Sequence, residues 1–230
     1  MLRTQALSDV PLFEGLTQEQ LAEVARRVRR RTFQPREFLV HRDEIGDAMY
    51  ILLSGKVKVS TPAEQGDKVE TIITTLSAGD IIGELSVLDG ERRNADVIAM
   101  ERTEALVLSA EDVHAWLHAY PAVGIALLRG LAGRLRRTTE WISVLAQQDV
   151  TGRLARLLLD LSHAHGVDLS EGGRLIRLRL TQNDLGGLVG ASRESVCKAI
   201  NNFKDLSWIA VDHTPYITIL NAEALEKRCH

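Results

Sequence analysis

The spacing of apolar and polar residues changes twice along the chain. Near the N-terminus, LTQEQLAEVARRVRRR places Leu21, Val24 and Val28 on one face behind a capping box at Thr17, which predicts a short amphipathic helix. From about residue 33 to 108, short alternating or apolar runs such as MYILL, KVKVS and EALVLS take over. Turn signals separate these runs at Ser54-Gly55, Gly66-Asp67, Gly79-Asp80 and Asp89-Gly90. This pattern of short strands and turns is typical of an antiparallel β-roll or jelly roll.

A long helix with a heptad rhythm follows the predicted roll. Ser109 caps a first helix, the chain breaks near Pro121, and a second helix runs to about Gln147. Seam positions recur every three or four residues at Leu128, Leu131, Leu135, Thr138, Ile142 and Leu145. Because this stripe would be exposed in a monomer, residues from about 121 to 147 are predicted to form a homodimer interface. Thr138 either sets the register of the seam or bonds back to its own helix, or Thr138 and Thr139 meet a polar ligand there.

Beyond Asp149 the order of elements is that of a winged helix-turn-helix. The helix VTGRLARLLLDLS precedes a Gly-rich turn, GVDLSEGG, and a short basic strand, RLIRLRL. Two short helices follow, and WIAVDHTPYITIL predicts a ribbon that turns at Asp212 to Pro215. Thr181 caps the first short helix with Asp184 closing the box, Gly190 permits the turn, and Ser192 caps the second helix.

The second short helix has the pattern of a DNA-reading element. Its apolar residues Val196, Ile200 and Phe203 should pack inward, which turns Glu194, Lys198 and Asn201 outward, with Arg193 in the first turn. Arginine and lysine can bond the acceptors of guanine, and glutamate can accept from the cytosine amino group. An ordinary solvated face is the alternative, but the capped helix, the glycine turn and the wing favour DNA reading.

Composition narrows the classes of protein that fit. The net charge of the 230 residues is −3, so any DNA-binding surface must be a local patch. Cys197 and Cys229 have no metal-ligand spacing, which predicts an intracellular chain without structural zinc. The N-terminus lacks a signal-peptide run, and AWLHAYPAVGIALL is too short to span a bilayer. We therefore expect a soluble, cytoplasmic protein with no membrane partner.

Three segments resemble the Crp/Fnr-type bacterial transcription regulators, and within them the cyclic-AMP receptors. LTQNDLGGLVGASRESVCKAI resembles their helix-turn-helix, DVTGRLARLLL is similar to the helix that opens their DNA-binding domain, and GDIIGELSVLDGERRNADV resembles their phosphate-binding cassette. The likeness covers nearly the whole chain. It implies an α+β fold with a cyclic-nucleotide-binding β-roll in 1–120, a dimerisation helix in 121–148 and a winged helix-turn-helix in 149–230.

The resemblance also assigns roles to individual residues. Backbone N–H groups around Gly83, Glu84 and Leu85 would cradle a cyclic phosphate, Arg93 would pair with its charge, and Glu84 would take the ribose 2′-hydroxyl. Asn94 departs from the family pattern, which has a hydroxyl residue there. Thr138 within its own subunit and Thr139 of the partner subunit would contact adenine, which favours cyclic AMP. The implied DNA-binding residues are Thr181, Gln182, Ser192, Arg193, Glu194, Ser195 and Lys198, with lysine at 198 in place of the usual arginine.

The implied function is that of a homodimeric transcription activator, not an enzyme, that cyclic AMP switches on. Its partners would be a pseudo-palindromic DNA with TGTGA-like half-sites and RNA polymerase. One alternative is a regulator of the same fold that is constitutive or senses another effector. Two distant cysteines cannot hold an iron–sulfur cluster, and the pairs His114/His118 and His163/His165 are the candidates for a haem sensor. Another is a cyclic-nucleotide-regulated enzyme subunit, although the sequence carries no P-loop or nucleophile elbow.

Overall fold

The chain forms two compact units, the first made of Met1–Thr61 and Ile73–Arg137 and the second of Pro62–Ile72 and Thr138–His230. The computed structural model describes residues 7–8, 10–62, 70–170, 172–211 and 216–229. The predicted turns at Gly66-Asp67 and at Asp212 to Pro215 lie outside these residues. The combination of an N-terminal β-roll, a long helix and a C-terminal winged helix-turn-helix confirms the predicted α+β class.

The first unit is built on two antiparallel sheets. Its strands are β1 (Arg29–Phe33), β2 (Phe38–Val40), β3 (Ala48–Ser54), β4 (Lys56–Thr61), β5 (Thr71–Ser77), β6 (Ile81–Ile82), β7 (Asp96–Ala99) and β8 (Thr103–Ser109). Its helices are α1 (Gln18–Arg27), α2 (Glu84–Asp89), α3 (Ala110–Ala119) and the long α4 (Pro121–Gln147), which continues into the second unit. One sheet has the strand order β1-β8-β3-β6 and the other the order β2-β7-β4-β5.

Strand β3 joins the two hydrophobic clusters of this unit. Because successive side chains of a strand point to opposite faces, Met49 and Ile51 pack with one cluster and Tyr50 and Leu52 with the other. The first cluster includes residues of α1, α3 and α4, among them Trp116, and the second fills the space between the sheets. The roll therefore has one core inside it and another beneath its helices.

The second unit contains a small sheet and a helical core. Its strands are β9 (Gly166–Asp168), β10 (Arg174–Ile176), β11 (Ile209–Val211) and β12 (Ile217–Ile219), in the order β11-β12-β10-β9. Its helices beyond α4 are α5 (Val150–His165), α6 (Gln182–Val189), α7 (Arg193–Asp205) and α8 (Ala222–Arg228). Leu154, Ala155 and Leu158 on α5 are fully buried, so this helix forms the centre of the unit.

Several predicted boundaries were wrong because strand pairing overrides local propensity. The first helix ends at Arg27, and Arg29–Phe33 instead pairs with β8, where Arg30 bonds Glu104. The segment predicted as a Gly-rich turn contains β9, which pairs with β10. The basic strand is shorter than RLIRLRL, since it ends at Ile176.

One helix in the second unit has no counterpart in the sequence analysis. Helix α8 was not predicted; it is capped by Asn221, whose side chain accepts from the N–H of Ala224. Among the helices in the described part of the chain, none is long and apolar enough to cross a membrane.

Candidate functional site

The cassette predicted to bind a phosphate is organised around Gly83. This residue has φ of +77°, a left-handed conformation that favours glycine, and it immediately precedes α2. A Cβ at Gly83 would lie 2.3 Å from Nη1 of Arg93, so any side chain there would displace the guanidinium. The turn and Arg93 are therefore packed together.

Arg93 is a buried cation held by backbone oxygens. It is 5% exposed, and it donates to the carbonyl of Gly83 at 2.7 Å and to that of Ala48. Within the described residues, no carboxylate lies at ion-pair distance from it, although its charge acts on the buried carboxyl of Glu84. Since a buried charge is unfavourable without a counter-charge, this arrangement fits an anion such as a cyclic phosphate, which Arg93 would hold.

Glu84 is the buried carboxylate of the same cassette. It is 2% exposed, and burial raises the pKa of its carboxyl above the ordinary value, an effect that the charge of Arg134 opposes. Arg134 on α4 lies 2.5 Å from Glu84 and also donates to the carbonyl of Ile81 at 2.8 Å. The cassette is thus tied directly to the long helix.

Arg134 is a functional candidate that sequence reasoning missed. It is one of several arginines in RLRR, and nothing in the heptad pattern distinguishes it from a solvated neighbour. The other two predicted cassette residues differ in setting, since Leu85 is 41% exposed and Asn94 is exposed beside buried Arg93. The structure therefore brings together Gly83, Glu84 and Arg93.

The predicted seam of α4 is an exposed apolar stripe in the single chain. Leu128, Leu135 and Ile142 are 67%, 69% and 61% exposed, and Leu145 is 39% exposed. Thr138 and Thr139 are also exposed. Leu131 differs, because it is partly buried and packs against the core beneath the helices of the roll. The prediction that every seam position is exposed in the single chain therefore does not hold for Leu131.

The helix-turn-helix has the caps expected from its sequence. Thr181 and Asp184 form a reciprocal capping box on α6, and Gly190 ends that helix with φ of +61°. Ser192 accepts from the N–H of Ser195 at the start of α7, so both serines define how this helix begins. Val196, Ile200 and Phe203 are buried, whereas Arg193, Glu194 and Lys198 are exposed.

A side-chain network runs across the start of α6 and α7. Arg193 Nε donates to Oε1 of Gln182 at 3.4 Å, and Nε2 of Gln182 donates to Sγ of Cys197 at 3.8 Å. Nδ2 of Asn201 also lies 3.8 Å from this sulfur. Sequence reasoning placed Asn201 outward but missed Cys197, whose only signal was its position one turn after Arg193.

The segment between α4 and α5 is fixed by polar contacts within the second unit. Asp149 caps α5 by accepting from Gly152 at 2.8 Å, and this bond, together with Arg228, lowers the pKa of its carboxyl. Arg153 donates to the carbonyls of Gln148 and Gly190, both at 3.3 Å. One guanidinium thus connects the chain after α4 to the turn between α6 and α7.

The fold and these sites define a class of protein: a β-roll with a buried arginine, joined through a long helix to a winged helix-turn-helix. The cyclic nucleotide-binding domain family matches residues 30–120, and the Crp-like helix-turn-helix domain family matches residues 152–228. The CRP-like cAMP-activated global transcriptional regulator of Mycobacterium tuberculosis is 32% identical over 225 residues, covering 97% of this chain and 98% of the relative. This chain belongs to the Crp/Fnr-type family of bacterial transcription regulators.

One further relative and one solved structure are similar to this chain. The Cyclic AMP receptor protein of Thermus thermophilus is 32% identical over 192 residues, covering 83% of this chain and 84% of the relative. The structure of the c-di-GMP responsive global regulator CLP of Xanthomonas campestris has a TM-score of 0.76 at 22% identity, covering 88% and 99% of the two chains. These proteins are regulators and not enzymes, and this chain is a DNA-binding transcription regulator with a cyclic nucleotide-binding domain.

Proposed function

We propose that the protein is a homodimeric transcription activator whose sequence-specific DNA binding is switched on by cyclic AMP. The observation that carries this proposal is the buried cassette of Gly83, Glu84 and Arg93, which Arg134 ties to the helix bearing the seam. A ligand that changes this cassette can change the position of α4, because the Glu84–Arg134 pair belongs to both. The names of the Mycobacterium and Thermus relatives agree with cyclic AMP as that ligand.

Dimerisation is supported by the exposed stripe on α4. Leu128, Leu135 and Ile142 expose most of their surface, and a second copy of the same helix is the partner that a heptad pattern favours. We assign residues 1–120 to the ligand-binding roll, 121–148 to the dimerisation helix and 149–230 to the DNA-binding domain. Thr138 and Thr139 would lie at the interface, where hydroxyl groups weaken an apolar seam unless they bond a polar partner.

These hydroxyls are the proposed adenine contacts. Thr138 would act in its own subunit and Thr139 of the partner subunit would act across the interface, so one base would contact both helices. In the cassette, Arg93 would pair with the phosphate, backbone groups around Gly83 and Leu85 would surround it, and Glu84 would bond the ribose. Asn94 would stand where the resemblance to the cyclic-AMP receptors implies a hydroxyl residue.

A two-fold dimer of this class should read a pseudo-palindrome. Helix-turn-helix dimers contact half-sites about 34 Å apart, and we expect TGTGA-like half-sites here. Arg193, Glu194 and Lys198 would read base edges, while the residues at the helix starts would bond phosphates. The latter are Thr181, Gln182, Ser192 and Ser195. RNA polymerase is the proposed further partner, and the location of bacterial DNA places the protein in the cytoplasm.

Calorimetry with cyclic AMP tests the cassette. Arg93→Ala removes the cation and should weaken nucleotide binding at least tenfold, because charge-assisted bonds contribute about 1.5–3 kcal/mol. Arg92→Ala is the matched control, since this adjacent arginine is exposed and, among the described residues, its side chain bonds only the carbonyl of Asp43. Cyclic GMP and cyclic di-GMP serve as competitors. Tighter binding of either competitor, or equal effects of the two substitutions, would refute the proposal.

The threonine pair is tested by its effect on coupling. Replacing both Thr138 and Thr139 by alanine should leave measurable nucleotide binding but reduce the gain in DNA affinity that cyclic AMP produces. Ser143→Ala, an exposed hydroxyl residue later in α4, is the control. A double variant with the full gain in DNA affinity would show that the hydroxyls only add polarity to the seam.

A further inference from the structure

The centre of the outward face of α7 is occupied by a thiol. Cys197 lies one helical turn after Arg193 and one turn before Asn201, so the three residues form a row along the helix. The thiol is partly exposed, whereas Val196 and Ile200 beside it are buried. Cys197 therefore lies among the residues that face away from the core.

The thiol and Arg193 contact opposite ends of the same amide. Oε1 of Gln182 accepts from Nε of Arg193 at 3.4 Å, and Nε2 of Gln182 donates to Sγ of Cys197 at 3.8 Å. Since an amide group is planar, anchoring its nitrogen fixes the direction in which its oxygen points. Sulfur is a weak acceptor, so loss of this contact should have little effect on the stability of the fold.

We propose that Cys197 is a positioning residue for base recognition by Arg193, acting through the side-chain amide of Gln182. This inference rests on the proposed function, in which Arg193 bonds guanine. The bond to Gln182 uses only Nε of Arg193, so both terminal nitrogens of the guanidinium stay available for the two guanine acceptors. The thiol thus fixes the arginine in a conformation that can bind guanine with two parallel bonds.

The expected size of the effect follows from the ordering of one long side chain. An arginine that is already oriented loses less rotamer freedom when it binds DNA than one that samples all its rotamers. This smaller loss of side-chain entropy corresponds to about a two- to tenfold gain in affinity. It applies only to DNA that presents guanine at the position read by Arg193, so it increases discrimination and leaves non-specific binding unchanged.

The experiment measures the ratio of dissociation constants for a palindrome and for the same palindrome with the contacted guanine replaced. It uses the full-length protein with saturating cyclic AMP at fixed salt. The variants are Cys197→Ala, Cys197→Ser, Arg193→Ala and the double variant of Cys197→Ala with Arg193→Ala. Asn202→Ala is the control, because it is an exposed residue on the same helix. Melting temperature and binding to scrambled DNA are recorded for each protein.

Cys197→Ala should lower the ratio two- to tenfold, with melting temperature and scrambled-DNA binding unchanged. Cys197→Ser should restore most of the ratio because its hydroxyl can still accept from the amide, and Asn202→Ala should have no effect. In the Arg193→Ala background, removal of the thiol should change nothing further. A normal ratio in Cys197→Ala, equal losses in the alanine and serine variants, or an additive loss in the double variant would overturn this role. If Arg193→Ala itself keeps full discrimination, the proposed reading of guanine by Arg193 is wrong instead.

Discussion

The exposed stripe on α4 makes a quantitative prediction about dimerisation. Leu128 is 67% exposed in the single chain, and full burial of a leucine contributes about 1.5–3 kcal/mol. Burial of the exposed part in a dimer is therefore worth about 1–2 kcal/mol per subunit, or about 2–4 kcal/mol for the two copies. Leu128→Ser should raise the dimer dissociation constant about 30- to 700-fold.

Analytical ultracentrifugation over a range of protein concentrations measures this dissociation constant. Ile45→Ser is the matched control, because Ile45 is 76% exposed but lies in a loop of the roll, far along the chain from α4. Thermal unfolding checks that both variants remain folded. Equal dissociation constants for the two variants, or a wild-type protein that stays monomeric at micromolar concentration, would refute the assignment of the stripe to a dimer interface.

Three further predictions test single residues. Lys198→Arg introduces a guanidinium group that can form two bonds with guanine. It should increase discrimination at one base pair by about fivefold in DNA titrations. Unchanged discrimination would argue against base contact by this residue. Asn94→Ser introduces the hydroxyl that the resemblance implies at this position and should tighten cyclic AMP binding by about two- to tenfold in calorimetry; weaker binding would show that asparagine is the better ligand here. Asp149→Ala should lower the free energy of unfolding by about 1 kcal/mol near neutral pH, because it removes the cap of α5. The pKa of Asp149 is lowered in the folded protein. The stabilisation is therefore present above the ordinary carboxyl pKa and should be lost as the pH falls through the lowered value. If the substitution lowered the free energy of unfolding equally down to acid pH, the prediction would be wrong.

The elements that depend on local chemistry were predictable from the sequence. The capping box of Thr181 and Asp184 and the left-handed Gly190 follow from side chains within a few residues of one another. The inward face of α7 follows from helical periodicity, which places Val196, Ile200 and Phe203 on one side. These local features are retained in the folded structure because the tertiary contacts favour the same conformations.

The contacts that depend on distant pairing were not predictable. Arg134 meets Glu84 across 50 positions of sequence, and no local pattern marks either as the partner of the other. Arg29–Phe33 is a strand only because β8 pairs with it, although its arginines look like the end of a helix. The role proposed for Cys197 likewise depends on a contact with Gln182 on the preceding helix.

The most direct test of the account is a DNA titration of the wild-type protein with and without cyclic AMP at one salt concentration. Two duplexes are compared, one carrying the TGTGA-type palindrome and the other a scrambled sequence of the same composition. We expect cyclic AMP to raise the affinity for the palindrome by about 5- to 150-fold, as typical couplings of 1–3 kcal/mol give, and to leave the scrambled duplex unaffected. Equal affinity for the palindrome in both conditions, at a nucleotide concentration where calorimetry shows the protein saturated, would contradict the central claim.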